Sequence, residues 1–400
     1  VDPEEVEILE ALDRVLAEDV YSDMDIPPFD NSAMDGYAVR AVDTVGASRE
    51  TPVKLQVIGA VAAGQTTDLV VKPGTAVRIM TGAPLPAGAD AVVRFEEAGE
   101  GREGRVEIFD QVVARENVRP AGEDVRQGEL VLSRGTTLRP QEIGVLASLG
   151  RSRIRVTRRP RVAILATGDE LVAVDEPLAP GKIHSSNEYA NAALVQRYGG
   201  IPIRLGIARD DPEDLRARLR EGLVQKVDLF ITSAGVSVGD YDVVRDVLAV
   251  EGKVHFWQVR MRPGKALAFG EVRGVPLLGL PGNPTAALVS FEQFARPAIL
   301  KMLGKTQLCQ PTVGAILEHD VEGSEWCDLK PAVVTRRGGE YYASVGPQGS
   351  GVLASLVRAN CLVVIPEGVR HMKAGERVVV QMLDWPETRH GSDTHHLCGW

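Results

Sequence analysis

Five short segments carry glycine, acidic or basic residues, and each one follows a run of apolar residues. After Val162–Ala166 comes Thr167-Gly168-Asp169-Glu170. Its glycine permits a tight turn close to a ligand, and its two acids suit a metal or a ligand donor; a turn with a helix cap is the other reading. After Ile201–Leu205 comes Arg209-Asp210-Asp211-Pro212-Glu213, which also reads as a helix start with proline in the first turn. After Val227–Thr232 the chain runs Ser233-Ala234-Gly235-Val236-Ser237-Val238-Gly239-Asp240-Tyr241-Asp242. Residues this small let backbone N–H groups face an anion at the next helix N-terminus. The run lacks the G-K-[ST] ending of a Walker A loop and is not G-x-G-x-x-G.

Two further segments favour anions. Arg260-Met261-Arg262-Pro263-Gly264-Lys265 follows Val254–Val259 and carries three cations in six residues of an otherwise acidic chain. An anionic ligand is the natural partner, with a solvated basic hairpin as the alternative. Pro281-Gly282-Asn283-Pro284 follows Val275–Leu280 and opens a helix with Asn at its cap, ready for phosphate. Together the five segments predict a site for a phosphate-bearing ligand with a divalent ion. That ion is Mg²⁺-like, because carboxylate oxygens are present without His or Cys clusters. Three polar knots lie earlier: Pro28–Ala38 with Asp30 and Asp35, Arg78–Pro84 with Thr81, and Arg119–Asp124. Nothing in their spacing joins them to the other five.

The elements that must carry these residues change style along the chain. Val6, Leu9, Leu12 and Leu16 recur at helical spacing, which predicts an amphipathic helix over Glu4–Asp19. Short β-like runs cut by Gly and Pro follow from Thr51 to Leu138, then a short helix over Pro140–Leu149. From Arg161 the pattern alternates strand and helix, ending in a long helix over Pro284–Leu303. Such alternation predicts a doubly wound, mostly parallel α/β domain with helices on both faces, whose ligands bind beyond the carboxyl ends of the strands. Small β-rich domains flank it. The expected division is 1–27 with 135–159 as a helical and linker part, then 28–134 as a β-rich part. After these come 160–304 as the α/β domain, 305–384 as a C-terminal β domain, and 385–400 as a tail. His395-His396 lies in that tail and is read as having no role.

Composition sets the outer limits. The chain has 400 residues, 44% of them hydrophobic and 25% charged, which predicts several globular domains. A net charge of −10 argues against a non-specific nucleic-acid partner. No apolar run approaches the roughly 20 residues of a membrane helix. The acidic start lacks a basic-then-apolar layout, and the four cysteines lie far apart, so a reducing cytoplasm is expected.

The longer motifs carry a resemblance. PFDNSAMDGYAVR at Pro28–Arg40, RIMTGAP at Arg78–Pro84, RPAGED at Arg119–Asp124 and TGDEL at Thr167–Leu171 resemble the molybdopterin molybdenumtransferases. SAGVSVG at Ser233–Gly239, RPGK at Arg262–Lys265 and LPGNP at Leu280–Pro284 extend the resemblance. This is the MoeA type, shared with the E domain of gephyrin. The resemblance implies insertion of molybdate into adenylylated molybdopterin, with Mg²⁺, releasing AMP. It also implies elongated homodimers of four subdomains, with a cleft between the α/β part and the partner chain. The pathway's adenylyltransferase is a possible further partner.

Carried over by motif, the functional acids are Asp35, Asp124, Glu170, Asp210 and Asp242, with Thr81 beside them; Asp124, Glu170, Asp210 and Asp242 are the implied metal ligands. Ser233, Gly235, Ser237, Gly239, Arg262, Lys265, Pro281, Gly282, Asn283, Lys330 and Ser350 are the implied substrate contacts. Gln258 and Arg262 stand where the family has lysine, and Lys330 where it tends to have arginine. Tungstate in place of molybdate, an adenylyltransferase-like binding protein and a scaffold are the competing readings. The segments Val1–Gly150 and Gly304–Asp384 argue against the adenylyltransferase.

Overall fold

The structure is a computed structural model and describes residues 1–233, 244, 247–248, 252–346 and 353–385. By its internal contacts the chain forms two units, Glu5–Val156, and Val1–Glu4 with Thr157–Trp400. Among the described residues no helix is long and apolar enough to cross a membrane.

The chain opens on a strand, β1 (Pro3–Glu7), and not on the helix predicted over Glu4–Asp19. The reason is tertiary. Glu5 meets Arg153 at 3.2 Å on the strand that pairs with β1. The backbone then turns through Asp13, at φ 63°, whose N–H donates to the Leu138 carbonyl at 2.8 Å. Val6 and Leu16 are buried while Leu9 is 78% exposed, so the apolar stripe is not one helical face.

A two-residue strand β2 (Asn31–Ser32) precedes a six-stranded sheet. Its strands are β3 (Gly36–Val39), β4 (Val53–Val61), β5 (Thr75–Ile79), β6 (Ala91–Arg94), β7 (Ala98–Glu100) and β8 (Arg105–Ile108). Their order is β6-β3-β5-β4-β8-β7. Alternate residues of β5 serve two cores, Ala76 with Val93 and Ile108, Val77 and Ile79 with Val61 and Val92. β9 (Val118–Arg119) returns to pair antiparallel with β2, setting Arg119 opposite Asn31. The unit closes on α1 (Pro140–Ser148) and β10 (Arg153–Thr157).

The second unit begins with an α/β portion: β11 (Arg161–Thr167), α2 (Ser186–Arg197), β12 (Ile201–Ala208), α3 (Pro212–Val224) and β13 (Leu229–Ser233). β14 (Gly252–Gln258), β15 (Met261–Arg262), β16 (Ala266–Val272) and β17 (Val275–Leu280) follow. One sheet runs β12-β11-β13-β17-β16-β14, the first four strands parallel and the last two an antiparallel addition. Val162 and Ile164 of β11 pack with Val195 of α2 and with Ala287, Phe291 and Ile299. Ala163 and Leu165 point the other way, to Leu215 and Leu219 of α3 and to Val247.

The long helix expected over Pro284–Leu303 is α4 (Pro284–Ser290) and α5 (Arg296–Met302), joined through a π turn at Phe291–Ala295. Pro297 has no N–H to give to the preceding turn, and the wider turn accommodates it. The C-terminal portion comprises β18 (Thr312–Leu317), β19 (Cys327–Arg337), β20 (Glu340–Val345), β21 (Cys361–Ile365) and β22 (Arg377–Met382). They pair in the order β19-β20-β18-β22-β21, and β21 returns to β19, which closes a small barrel. Val334, Ala343, Val363 and Val380 fill it.

Candidate functional site

Parallel pairing sets Thr167, the last residue of β11, level with Ala208, the last of β12. The turns that follow therefore lie side by side. The Asp169 N–H donates to Asp210 Oδ2 at 3.3 Å, and the Asp210 N–H returns the bond to Asp169 Oδ1 at 3.3 Å. Asp211 is spent on the helix, accepting from the Glu213 N–H at 3.3 Å as the cap of α3. The helix-start reading of this segment thus holds for Asp211, while Asp210 faces Asp169. Gly168 has φ 143°, and a Cβ there would fall 2.3 Å from Glu170 Oε2. That φ favours glycine, and the Glu170 carboxylate curls back over it. Asp169, Glu170 and Asp210 are all exposed.

Ser233 ends β13 buried, and its carbonyl accepts from the Thr167 hydroxyl at 3.3 Å. Gly235, Ser237, Gly239 and Asp242 lie outside the described residues, as do Ser350 and the His395-His396 pair. Asn283 caps α4 by accepting from the Ala286 N–H at 3.2 Å. The Asn187 amide donates to the Gly282 carbonyl at 2.8 Å, which ties the start of α2 to the Pro281–Asn283 turn.

The basic segment is not a free loop. β15 pairs parallel with β19, setting Arg262 level with Asp328. Arg260 is committed to Glu367, and the Lys265 ammonium sits 5.0 Å from the Trp326 ring centre. Burial pushes the Lys330 ammonium below its ordinary pKa; the charge of Asp328 opposes this and that of Arg262 adds to it. The fold thus brings Arg262 and Lys330 together around Asp328, which the sequence reading missed. Asp328 is 2% exposed, and its Oδ2 has no hydrogen-bond partner among the described residues. An acid between Cys327 and Leu329, in a strand-like run, was the available signal. Gln258 ends β14 opposite Ala266 and is exposed.

In the Glu5–Val156 unit, Asp35 precedes β3 and Thr81 follows β5. Those strands are neighbours, and both the N–H and the hydroxyl of Thr81 donate to Asp35 Oδ1 at 2.7 Å. The two bonds, the N–H first, hold the Asp35 carboxyl below the usual range. Gly36 is obligatory, since a Cβ would lie 1.9 Å from the Val93 carbonyl oxygen.

Asp124 ends a loop pinned by backbone bonds. Gly122 N–H donates to the Pro27 carbonyl and Asp124 N–H to the Ile26 carbonyl, each at 3.0 Å. Ala121 N–H donates to Asp30 Oδ1 at 2.8 Å. Beside the loop lies an open cleft of ≈ 490 Å³, lined by Ile26, Pro27, Asn31, Arg119, Glu123 and Asp124.

Among the described residues no three His, Cys, Asp or Glu side chains form a metal-binding group. Asp169, Glu170 and Asp210 nevertheless offer only oxygen donors from two adjacent turns. Oxygen donors of that kind are the ones Mg²⁺ takes, one or two carboxylates with water and substrate phosphates completing its shell.

Residues 1–150 match the MoeA N-terminal region (domain I and II). Residues 163–301 match the probable molybdopterin binding domain, and 328–383 the MoeA C-terminal region (domain IV). The chain is 40% identical to a molybdopterin molybdenumtransferase of Nostoc sp. over 96% of its own length and 89% of the relative's. It is 36% identical to that of Haemophilus influenzae, covering 94% of this chain and 93% of the relative. The crystal structure of a molybdopterin biosynthesis MoeA protein from Pyrococcus horikosii superposes with a TM-score of 0.84 at 35% identity, covering 96% and 95% of the two chains. The chain belongs to the MoeA family, the molybdopterin molybdenumtransferases of molybdenum cofactor biosynthesis.

Proposed function

We propose that this chain transfers molybdenum from molybdate to adenylylated molybdopterin and releases AMP. The observation that carries the reading is the facing pair Asp169 and Asp210 at the carboxyl ends of two parallel strands. In an open α/β sheet that is where a phosphate-bearing ligand binds. Asp210, Glu170 and Asp169, with Asp242, would hold Mg²⁺, which when bound supplies positive charge to the phosphate oxygens.

The chain's own residues do the rest. Ser233 ends β13, the Gly235, Ser237 and Gly239 run comes next in the sequence, and the backbone N–H groups of this stretch would orient the phosphate-bearing ligand. Pro281, Gly282 and Asn283 shape the turn before α4, after Leu280, which pairs with Ser233. Arg262, Lys265 and Lys330 attract the molybdate dianion, with Ser350 as a hydroxyl donor. Asp328 beside Arg262 and Lys330 moderates that positive field. Asp35, oriented by Thr81, stays ionised and presents Oδ2, which accepts no hydrogen bond from the described residues. A homodimer brings the Asp35 and Thr81 pair of one chain to the α/β portion of the other. The doubly wound winding, the four-part domain division and a cytoplasmic location belong to the same reading.

The deciding experiment supplies adenylylated molybdopterin, Mg²⁺ and either molybdate or tungstate, and follows AMP. Molybdate-dependent AMP release supports the reading. Release with tungstate alone makes tungstate the natural oxyanion, and binding without release leaves only an adenylyltransferase-like binding protein.

A further inference from the structure

We propose that Asp328 is the resident counter-charge of the Arg262 and Lys330 pair, a positioning residue that keeps Lys330 charged while no oxyanion is bound and weakens the hold on one that is. The inference rests on that pair taking the oxyanion, as proposed above.

Strand geometry puts the three groups on one face. β15 and β19 run parallel with Arg262 level with Asp328, and Lys330 lies two residues further along β19. Level residues of paired strands, and alternate residues of one strand, point the same way. Met261 and Leu329 point the other way and pack with Val289 and Leu362. Beyond Lys330 the shared face continues through Ala332 and Val334 into the apolar core of the barrel, where Val363 and Ile365 join them. The face is thus apolar at one end and charged at the other, and Asp328 is the one acid of β19.

Asp328 is a costly group to bury there. It is 2% exposed, its Oδ2 has no hydrogen-bond partner, and no close ion pair holds the carboxylate among the described residues. An apolar residue at that position would simply extend the barrel core. What the carboxylate offers instead is its field. Arg262 is exposed, while Lys330 is half-buried, and burial pushes the Lys330 ammonium below its ordinary pKa. Asp328 opposes that push, Arg262 adds to it, and Glu322 opposes it less than Asp328 does. Glu322 is exposed and meets His371 at 3.0 Å.

A molybdate dianion brings its own negative charge to the same two cations. Once it is bound, Lys330 no longer depends on Asp328 for its proton, and the two anions repel each other across the pair. The buried acid therefore acts in two opposed ways, readying the cation of the empty site and lowering the affinity of the filled one. An oxyanion that is passed on to a second ligand gains nothing from being held at full strength beforehand.

The test titrates the full chain with molybdate by calorimetry across a range of pH. Asp328→Asn should tighten molybdate about tenfold near pH 7, where Lys330 is protonated in both proteins. Affinity should fall as the pH rises and Lys330 loses its proton. Without Asp328 the Lys330 pKa drops further, so this fall should begin at lower pH in the variant. A merely structural role would weaken binding at every pH and leave the fall in place. Thermal melting checks the fold. If Asp328→Asn does not fold, Lys330→Arg carries the test, because a guanidinium does not titrate in this range and the alkaline fall should vanish. Unchanged or weaker molybdate binding in folded Asp328→Asn, or an alkaline fall that survives Lys330→Arg, overturns the proposal. If Arg262→Ala weakens molybdate while Asp328→Asn leaves it unmoved, this inference falls and the oxyanion strip stands. If the wild type binds no molybdate, both fall.

Discussion

Asp169 and Asp210 each donate a backbone N–H to the other's carboxylate, at 3.3 Å in both directions, across the ends of two parallel strands. The reciprocity leaves each carboxylate a second oxygen, and it spaces two negative charges that would otherwise separate. In Asp210→Asn the amide oxygen still accepts from Asp169, so the melting temperature should hold. The lost charge should lower AMP release about 100-fold, the scale of one removed electrostatic stabiliser. Near wild-type turnover would take Asp210 out of the site.

Asp35→Asn likewise keeps an acceptor for Thr81 and should keep the fold while losing more than about tenfold in AMP release. Thr81→Val separates the two donors. The hydroxyl favours the charged form of Asp35, so its loss raises the Asp35 pKa while the Thr81 N–H bond remains. The acid limb of the pH–rate profile should move to higher pH. An unmoved limb means that Asp35 ionisation does not govern the rate.

The shared-site homodimer is tested by mixing. Asp35→Asn and Asp210→Asn chains, each impaired alone, are unfolded together and refolded. If each site draws on two chains, half of the dimers are mixed and each has one intact site, so about a quarter of the wild-type rate should return. No recovery, with dimers present by light scattering, places both residues in one chain's site.

The cationic strip predicts opposite shifts in molybdate dependence. Arg262→Ala removes a cation that sits beside Lys330 and should weaken molybdate at least about tenfold. Gln258→Lys adds a cation and should tighten it by about tenfold at most, since burying an ammonium offsets the gain. The readout is AMP release against molybdate concentration. If neither curve moves, the oxyanion binds elsewhere.

One carboxylate sets an acid limit on stability. Glu142 accepts from the Arg139 N–H at 2.8 Å and from its guanidinium at 2.6 Å, and the guanidinium holds its pKa at about 2. A depressed folded pKa gives stability that is present above the ordinary value of 4.5 and is lost as the pH falls through about 2. Glu142→Gln should melt below wild type at pH 6, and the two curves should converge as the pH approaches 2. A constant gap across that range would mean that the ion pair contributes nothing.

The α/β portion was readable because its signals are local. Val162–Ala166 is a continuous apolar run, buried on both faces, and each run of that kind became a strand of the sheet. The Asn283 cap and the Asp211 start of α3 also follow from side chains reaching only two or three residues along the chain. The opening helix failed because Leu9 and Leu12 share a spacing but not a buried face, and because the N–H groups of Ile8 and Asp13 go to the distant carbonyls of Ser152 and Leu138. The motifs named Asp35, Thr81 and Asp210 one at a time.

What the residue order alone determined is therefore the period of each element, the cap at its end and the identity of the groups held there. Those depend on contacts within a few residues. Which groups meet was decided only by the tertiary structure. Thr81 reaches Asp35 because β3 and β5 are neighbours, and Asp169 reaches Asp210 because β11 and β12 end level. Arg262 joins Lys330 because β15 leaves the α/β sheet to pair with the barrel strand β19. Strand register is set by the packing of whole faces, and a shift of one residue would reverse every side chain. No spacing within a single segment carries that information.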